Sequence, residues 1–295
     1  MIRPQNAFIV LNTDCDKRDE CSYCFYNTQP ERAVQSKLDT EKIVSILRRL
    51  MLLNVGNVYL TGGEPLLRDD LERIVSAATA MRLNTYLLSN GRLLDSSRVA
   101  RLDRAGLDVF VLSLNDLSLE DKKTISLAAR FKNAALSFIF VLTSKNTALV
   151  RHVTELARAL DAGLVFQPAW IPAENPLRAT ISPASLSQFE WSELYSELRP
   201  WAVQLGYEDY LELTHDIYRD GKLKPKRCGM GTDSFVIDAD GAVYPCFHRR
   251  DLPCGNVRRD DIAEVLDRVS KHSAELSTAP CFGEHCVSLH TSFKK

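Results

Sequence analysis

The chain has 295 residues, 45% of them hydrophobic and 25% charged, with eight cysteines and a formal net charge of −1. That is the composition of an ordinary globular chain of one large domain or two smaller ones. It excludes a disordered tail, a collagen-like fibre or a low-complexity linker as the main content. The near-zero charge leaves no electrostatic footprint for nucleic acid or an anionic membrane. No apolar run approaches the ~18 residues of a membrane-spanning helix. Residues 1–13 lack a signal-peptide core and cleavage site. The chain therefore reads as cytoplasmic, with no nucleic-acid or membrane partner.

In chain order, Ala7–Leu11 (AFIVL) is an apolar run of strand length. Asp39-Thr40 opens a helix whose Ile43, Ile46, Leu47 and Leu50 recur at helical spacing. Strands follow at Asn57–Leu60, Asn84–Leu88, Val109–Leu112, within Ala134–Leu142, and at Leu164–Phe166. Helices are predicted at Leu71–Met81, Arg98–Ala105 and Val150–Leu160. Repeated strand–helix alternation predicts parallel βαβ units. Six of them make about three quarters of an eight-stranded barrel. The fold class is thus α/β, a partial (β/α)6 TIM-like barrel over residues 1–205. The prolines at 172, 176 and 183 make Ile171–Ser182 a loop. Helical segments are predicted at Ser185–Leu198 and from Trp201 to about Tyr218, and a helical and basic connector spans 206–226. Asp240-Gly241 marks a hairpin between Phe235–Asp238 and Ala242–Tyr244, and Asp261–Val269 is a last helix. Residues 227–295 thus form a small hairpin-and-helix domain.

The cysteines fall into two groups. Cys15, Cys21 and Cys24 follow the first strand; Cys228, Cys246, Cys254, Cys281 and Cys286 occupy the last quarter. In a reducing compartment such clusters point to metal ligation or catalysis rather than disulfides. Three thiolates at Cys15-x5-Cys21-x2-Cys24 can hold three irons of a [4Fe–4S] cluster and leave the fourth open for a ligand. The charged insertion Asp16–Glu20 (DKRDE) is expected to bulge into solvent. At the end of the second strand stands Gly62-Gly63-Glu64-Pro65. Its glycines permit close backbone approach to a ligand, Glu64 offers an acceptor to a cationic amino group, and Pro65 stiffens the turn. A structural zinc site wants four ligands, and no fourth lies near the triad. A zinc ribbon is the competing reading of the C-terminal group, whose His285 adjoins Cys286. His285 and His248 are read as surface residues. Tyr59, Gln167 and Trp170 stand at predicted strand ends, where they line a pocket or pack.

The triad with GGEP resembles the radical S-adenosylmethionine superfamily. Leu87-Leu88-Ser89-Asn90-Gly91, Val111-Leu112-Ser113-Leu114-Asn115 and Val165-Phe166-Gln167-Pro168 resemble its later strand endings. The triad departs from the usual C-x3-C-x2-C in its first gap. The resemblance implies that Cys15, Cys21 and Cys24 bind a catalytic [4Fe–4S] cluster. Tyr23, Gly62, Gly63, Glu64, Pro65, Ser89, Ser113, Asn115 and Gln167 would contact S-adenosylmethionine. It also implies reductive cleavage to a 5′-deoxyadenosyl radical that abstracts a substrate hydrogen. The C-terminal cysteines resemble the SPASM and twitch extensions. Cys228, Cys246, Cys281 and Cys286 would hold one auxiliary [4Fe–4S] cluster, with Cys254 as spare or substitute.

A fully ligated auxiliary cluster implies electron transfer, hence a two-electron oxidation, and the layout is similar to that of twitch-type enzymes that oxidise an aminocyclitol alcohol. The short lead-in before the first strand tilts the expectation toward dehydrogenation of a small molecule. A peptide-modifying enzyme of the ribosomal-peptide or sulfatase-maturase kind is the alternative. The reductant implied is a reduced flavodoxin or ferredoxin. A non-catalytic iron–sulfur electron carrier and a zinc-stabilised binding protein are the rivals from other classes.

Overall fold

A computed structural model describes residues 4–28, 33–34, 37–114, 117–171, 175–220, 229–272 and 276. Strand β1 (Asn6–Val10) leads into the short helix α1 (Phe25–Thr28) and then α2 (Thr40–Leu52). Next come β2 (Asn57–Thr61), α3 (Leu71–Ala80), β3 (Asn84–Ser89), α4 (Ser96–Ala105) and β4 (Val109–Leu114). After these come α5 (Leu119–Ala128), β5 (Ala135–Leu142), α6 (Val150–Ala159) and β6 (Gly163–Pro168). The rest is α7 (Arg178–Ile181), α8 (Gln188–Leu205), α9 (Glu208–Asp220), β7 (Ser234–Ile237), β8 (Ala242–Tyr244), β9 (Gly255–Asn256) and α10 (Ile262–Lys271).

The strands form one nine-stranded sheet in the order β6-β5-β4-β3-β2-β1-β7-β8-β9. Strands β1 to β6 run parallel to their neighbours. One face of each strand, such as Ala7 and Ile9, Val58 and Leu60, or Phe138 and Phe140, is buried. Those side chains pack into a single core with the inward stripes of the helices: Ile43, Ile46, Leu47 and Leu50 on α2, Ile74 and Val75 on α3, Val153 and Ala157 on α6. Asp39 caps α2 by accepting from the Lys42 amide at 2.7 Å.

The opposite face carries half-buried residues at alternate positions, among them Thr61, Leu88, Ser113, Ile139, Val165 and Gln167. This is the lining of a barrel interior. Lower in it Phe8, Tyr59 and Tyr86 stand in register on adjacent strands. Their rings stack at 4.5 Å between centroids in both steps. Tyr59 is therefore packing, and burial beside Tyr86 pushes its hydroxyl up to about 12.

Four features differ from the sequence expectation. Helix α5 was not predicted between the fourth and fifth strands, because its buried face, Asp121, Thr124, Ile125 and Ala128, is half polar. Helix α8 runs through Pro200 and ends at Gly206, which takes the left-handed conformation at φ 73°. The stripe Trp191, Leu194, Leu198, Trp201 and Ala202 is buried on both sides of the proline, and that packing outweighs the missing amide. The hairpin is not a separate sheet: β7 pairs in parallel with β1, Ala7 opposite Phe235 and Ile9 opposite Ile237. Within the predicted loop Ile171–Ser182, Arg178–Ile181 is helical.

The two ends of the sheet approach each other. Trp170, just past β6, lies 4.1 Å between ring centroids from His248, beyond β8. His248 is thus a rim packing partner for Trp170 rather than an isolated surface residue.

Candidate functional site: the strand ends around the cysteine triad

The segment after β1 folds back over the GGEP turn. The Gly63 amide donates to the Asn12 carbonyl at 2.8 Å, and the Glu64 amide to the Asp14 carbonyl at 2.6 Å. A Cβ on Gly62 would sit 2.5 Å from the Asn12 carbonyl oxygen, and one on Gly63 would sit 2.5 Å from the Asp14 carbonyl carbon. The two glycines are therefore required by the approach of the triad loop's own backbone.

Glu64 is fully buried. Its Oε1 accepts from the Leu66 amide and the Ser89 hydroxyl, both at 2.8 Å, and its Oε2 accepts from the Asn90 amide at 2.9 Å. Burial pushes its carboxyl up to about 7 while these donors pull it down. Pro65 opens the turn that the Glu64 side chain caps. Ser89 is itself buried and turned toward Glu64 rather than to the barrel lining.

Asn90 ties the motifs together. Besides its amide bond to Glu64, its Nδ2 donates to Asp16 Oδ1 at 2.8 Å and lies 3.7 Å from Cys15 Sγ. Burial raises the Cys15 thiol, opposed by the hydrogen bond from the Lys17 amide. Cys15, Cys21 and Cys24 are half-buried thiols outside any disulfide among the described residues. The Cys24 amide donates to the Cys21 carbonyl at 2.9 Å, and Asn27 Nδ2 donates to the same carbonyl at 2.9 Å. Among the described residues no three His, Cys, Asp or Glu side chains converge on the spacing of a single metal ion. A cubane places each thiolate on a different iron, so such convergence is not the geometry it needs.

The charged insertion bulges into solvent only in part: Asp19 and Glu20 are exposed, whereas Asp16 and Arg18 are half-buried. Lys17 is buried and pairs with Asp121 of α5 at 3.4 Å, the two side chains being 10% and 8% exposed. Arg92 Nη1 donates to the Asp16 carbonyl at 3.0 Å and its Nη2 to Glu20 at 2.5 Å. Arg18 donates to the Thr13 carbonyl. The opposite charge that α5 supplies makes burial of Lys17 tolerable.

Tyr23 is half-buried beside the triad, while Ser113 and Gln167 line the interior. Gln167 also donates to the Pro168 carbonyl at 3.2 Å. Asn115, Cys228, Cys281, His285 and Cys286 lie outside the described residues. Cys246 is buried at the end of β8, in a cluster with Phe8, Val10, Met230, Val236 and Leu276. Met230 and Leu276 are the described neighbours of the segments that carry Cys228 and Cys281. Cys254 sits instead in the helix-side core with Val257, Ile262, Val265 and Leu266, and burial pushes its thiol up to about 11. The two described cysteines of this group thus belong to different clusters.

The profile described as "Radical SAM superfamily" matches residues 9–135, and that of an iron–sulfur cluster-binding domain, SPASM, matches residues 228–286. The PqqA peptide cyclase of Gluconobacter oxydans (strain 621H) is 34% identical over 250 residues, covering 79% of this chain and 68% of that protein. The chain belongs to the radical S-adenosylmethionine superfamily. Within it, a PqqA peptide cyclase of Granulibacter bethesdensis is 28% identical over 255 residues, covering 77% of this chain and 64% of that protein. The fold is shared with the Streptococcus suis SuiB bound to precursor peptide SuiA, at TM-score 0.66 and 16% identity, covering 98% of this chain and 68% of that one. It is shared too with BtrN in complex with AdoMet and 2-DOIA, at TM-score 0.56 and 15% identity, covering 93% and 87%.

As a member with a SPASM-type extension, the enzyme uses S-adenosylmethionine, a [4Fe–4S] cluster and an auxiliary iron–sulfur cluster. The triad region fits such a load. It offers three thiols outside any disulfide together with two buried acceptors lacking donors among the described residues, Asn12 Oδ1 and Asp16 Oδ2. Among the described residues no helix is long and apolar enough to cross a membrane.

Three residues of this site were not singled out from sequence: Asn12, Asp16 and Lys17. Asn12 carried no signal beyond following the first strand. Asp16 and Lys17 were visible only as members of a charged run.

Proposed function

We propose that this enzyme modifies a peptide, using the 5′-deoxyadenosyl radical to remove a substrate hydrogen and completing a two-electron oxidation of a side chain. The observation that carries this is the 34% identity to a PqqA peptide cyclase over 250 residues. It favours the peptide alternative over the small-molecule dehydrogenation expected from the short lead-in. The likeness to BtrN is one of fold alone and does not restore that expectation.

Cys15, Cys21 and Cys24 hold the radical-forming cluster in this reading, and the triad–GGEP junction holds S-adenosylmethionine over the half-buried interior. When bound, the cofactor and the reduced cluster supply a hydrogen-abstracting radical. The chain's part is to orient the reacting groups and exclude water. Glu64 and Asn90 fix the strand ends, Ser113 and Gln167 line the cavity, and Trp170 with His248 closes its rim. Cys228, Cys246, Cys281 and Cys286 hold the auxiliary cluster. Cys254 is left to packing, supported by its place in the helix-side core. The functional division at 205/206 and 226/227 belongs to the same proposal, although β7 joins the barrel's sheet. So do a flavodoxin- or ferredoxin-type donor and a cytoplasmic location.

Anaerobic incubation of the reconstituted enzyme with S-adenosylmethionine, dithionite and a synthetic PqqA peptide tests the substrate class. The expected result is peptide that has lost two hydrogens, in step with 5′-deoxyadenosine. Deoxyadenosine formed at the same rate without peptide, and unaltered peptide mass, would contradict it.

A further inference from the structure

The sheet has β6 at one edge and β9 at the other, and among the described residues no strand pairing joins the two. The stretch Cys246-Phe247-His248, just past β8, is held from both sides of that opening. The Phe247 ring meets Phe8 of β1 edge-on, at 5.2 Å between centroids. Phe8 in turn begins the stack that continues through Tyr59 and Tyr86. The His248 ring meets Trp170, beyond β6, at 4.1 Å. Neighbouring residues of one short segment thus reach the first strand of the barrel and the end of its last.

Cys246 lies at the root of this segment, buried with Phe8 and Val10 on the interior side of the sheet. Its Sγ accepts from the His248 amide at 3.4 Å. A neutral thiol is a weak acceptor, whereas a thiolate held by iron is a strong one, so the amide suits a ligating sulfur. Residues 245–248 lie outside helix and strand. No regular ladder therefore fixes the direction of the His248 amide, and the contacts of the neighbouring rings help to set it. Hydrogen bonds to the sulfurs of an iron–sulfur cluster favour its reduced form, which carries one more negative charge, and so raise its potential.

We propose that Trp170 is a positioning residue for the auxiliary cluster: stacked on His248, it holds the His248 amide against Cys246 Sγ and keeps that cluster a better electron acceptor. This rests on the reading of Cys246 as a ligand of the auxiliary cluster. It joins the rim of the barrel to the electron acceptor through one ring contact and one N–H···S bond.

The test is a redox titration of the reconstituted holoenzyme at a single pH, followed by electron paramagnetic resonance. The signal that Cys246→Ala removes belongs to the auxiliary cluster, and the signal that remains is the internal control. Trp170→Leu should make the auxiliary cluster about 10-fold harder to reduce, a fall of about 59 mV in its midpoint, with the other midpoint and the iron content unchanged. Trp170→Phe and His248→Phe keep a ring on each side of the contact and should stay near the wild-type value. His248→Leu should repeat the shift, and the Trp170→Leu/His248→Leu double variant should fall no further than either single one. An unchanged auxiliary midpoint in Trp170→Leu would overturn the proposal, as would equal shifts at both clusters or an additive double variant. So would loss of the auxiliary signal from Trp170→Leu, which would make Trp170 a requirement for holding the cluster rather than for its potential. Retention of both signals in Cys246→Ala would instead refute the underlying ligand reading.

Discussion

Gly63→Ala puts the junction between the two motifs under direct test. A Cβ at this position would be driven into the Asp14 carbonyl, 2.5 Å from its carbon and 2.8 Å from the Thr13 carbonyl carbon. All the obstructing atoms are backbone, so no side chain can rotate away. Cβ atoms essentially never sit within 3.0 Å of other heavy atoms, and the Asp14 carbonyl oxygen, nearer still than its carbon, forces the triad loop to retreat by about 1 Å. The retreat strains the Gly63–Asn12 and Glu64–Asp14 backbone hydrogen bonds, at 2.8 and 2.6 Å. Two such bonds at about 1 kcal/mol each, with about 1–3 kcal/mol for overpacking, give a loss of about 3–5 kcal/mol. Urea unfolding of the metal-free chain measures this, with iron content after reconstitution as the second readout. Gly56→Ala is the control, because its nearest neighbour would be Gln5 Oε1 at 3.9 Å. A Gly63→Ala chain as stable as the Gly56→Ala chain, with full iron at the triad, would show that the glycines do not serve this contact.

Other consequences follow from buried charge and buried thiol. Burial raises the Glu64 carboxyl from 4.5 to about 7, so the folded chain holds a proton there that the unfolded chain has released. The stability difference between the metal-free wild type and Glu64→Gln should therefore fall by about 3 kcal/mol as pH rises from 4.5 to 7 and level off above that. A difference that stays flat or rises would refute the assignment. Asp121→Ala should cost about 3–5 kcal/mol by leaving Lys17 buried without its carboxylate, while Lys17→Met with Asp121→Leu should recover most of the loss. A double variant as unstable as the single one would contradict the pairing. Cys254→Ser should cost about 1–3 kcal/mol for a buried hydroxyl yet keep full iron content, whereas Cys246→Ala should lower iron. Iron loss in Cys254→Ser would exchange their roles.

Much of the barrel was legible because its signals are local. Each strand is a short apolar run, most of the helices between them carry apolar residues at i, i+3 and i+4, and it is the regular alternation of the two along the chain that separates them. The triad and GGEP are likewise contiguous, and their positions just after adjacent strands suffice to bring them together. What escaped was decided by partners distant in sequence. Lys17 is buried because Asp121 lies across from it, 104 positions away, and neither residue announces the other. Helix α5 hides its stripe for the same reason, since Asp121 and Thr124 fill buried positions that a periodicity count reads as polar. The place of β7 beside β1 rests on a parallel pairing of Asn6 with Ser234, which no local pattern encodes. Ser89 kept the expected position but faces Glu64, because a strand fixes which side a residue takes while the bond it makes depends on the neighbouring turn.

The central claim is that Cys15, Cys21 and Cys24 carry the cluster that cleaves S-adenosylmethionine. Anaerobic reconstitution followed by dithionite and S-adenosylmethionine, with 5′-deoxyadenosine quantified by chromatography, tests it most directly. The account predicts 5′-deoxyadenosine from the wild type, none from Cys15→Ala, Cys21→Ala or Cys24→Ala, and a retained basal yield from Cys246→Ala. Cleavage that survives loss of any triad cysteine, or a wild type that forms no 5′-deoxyadenosine, would contradict it.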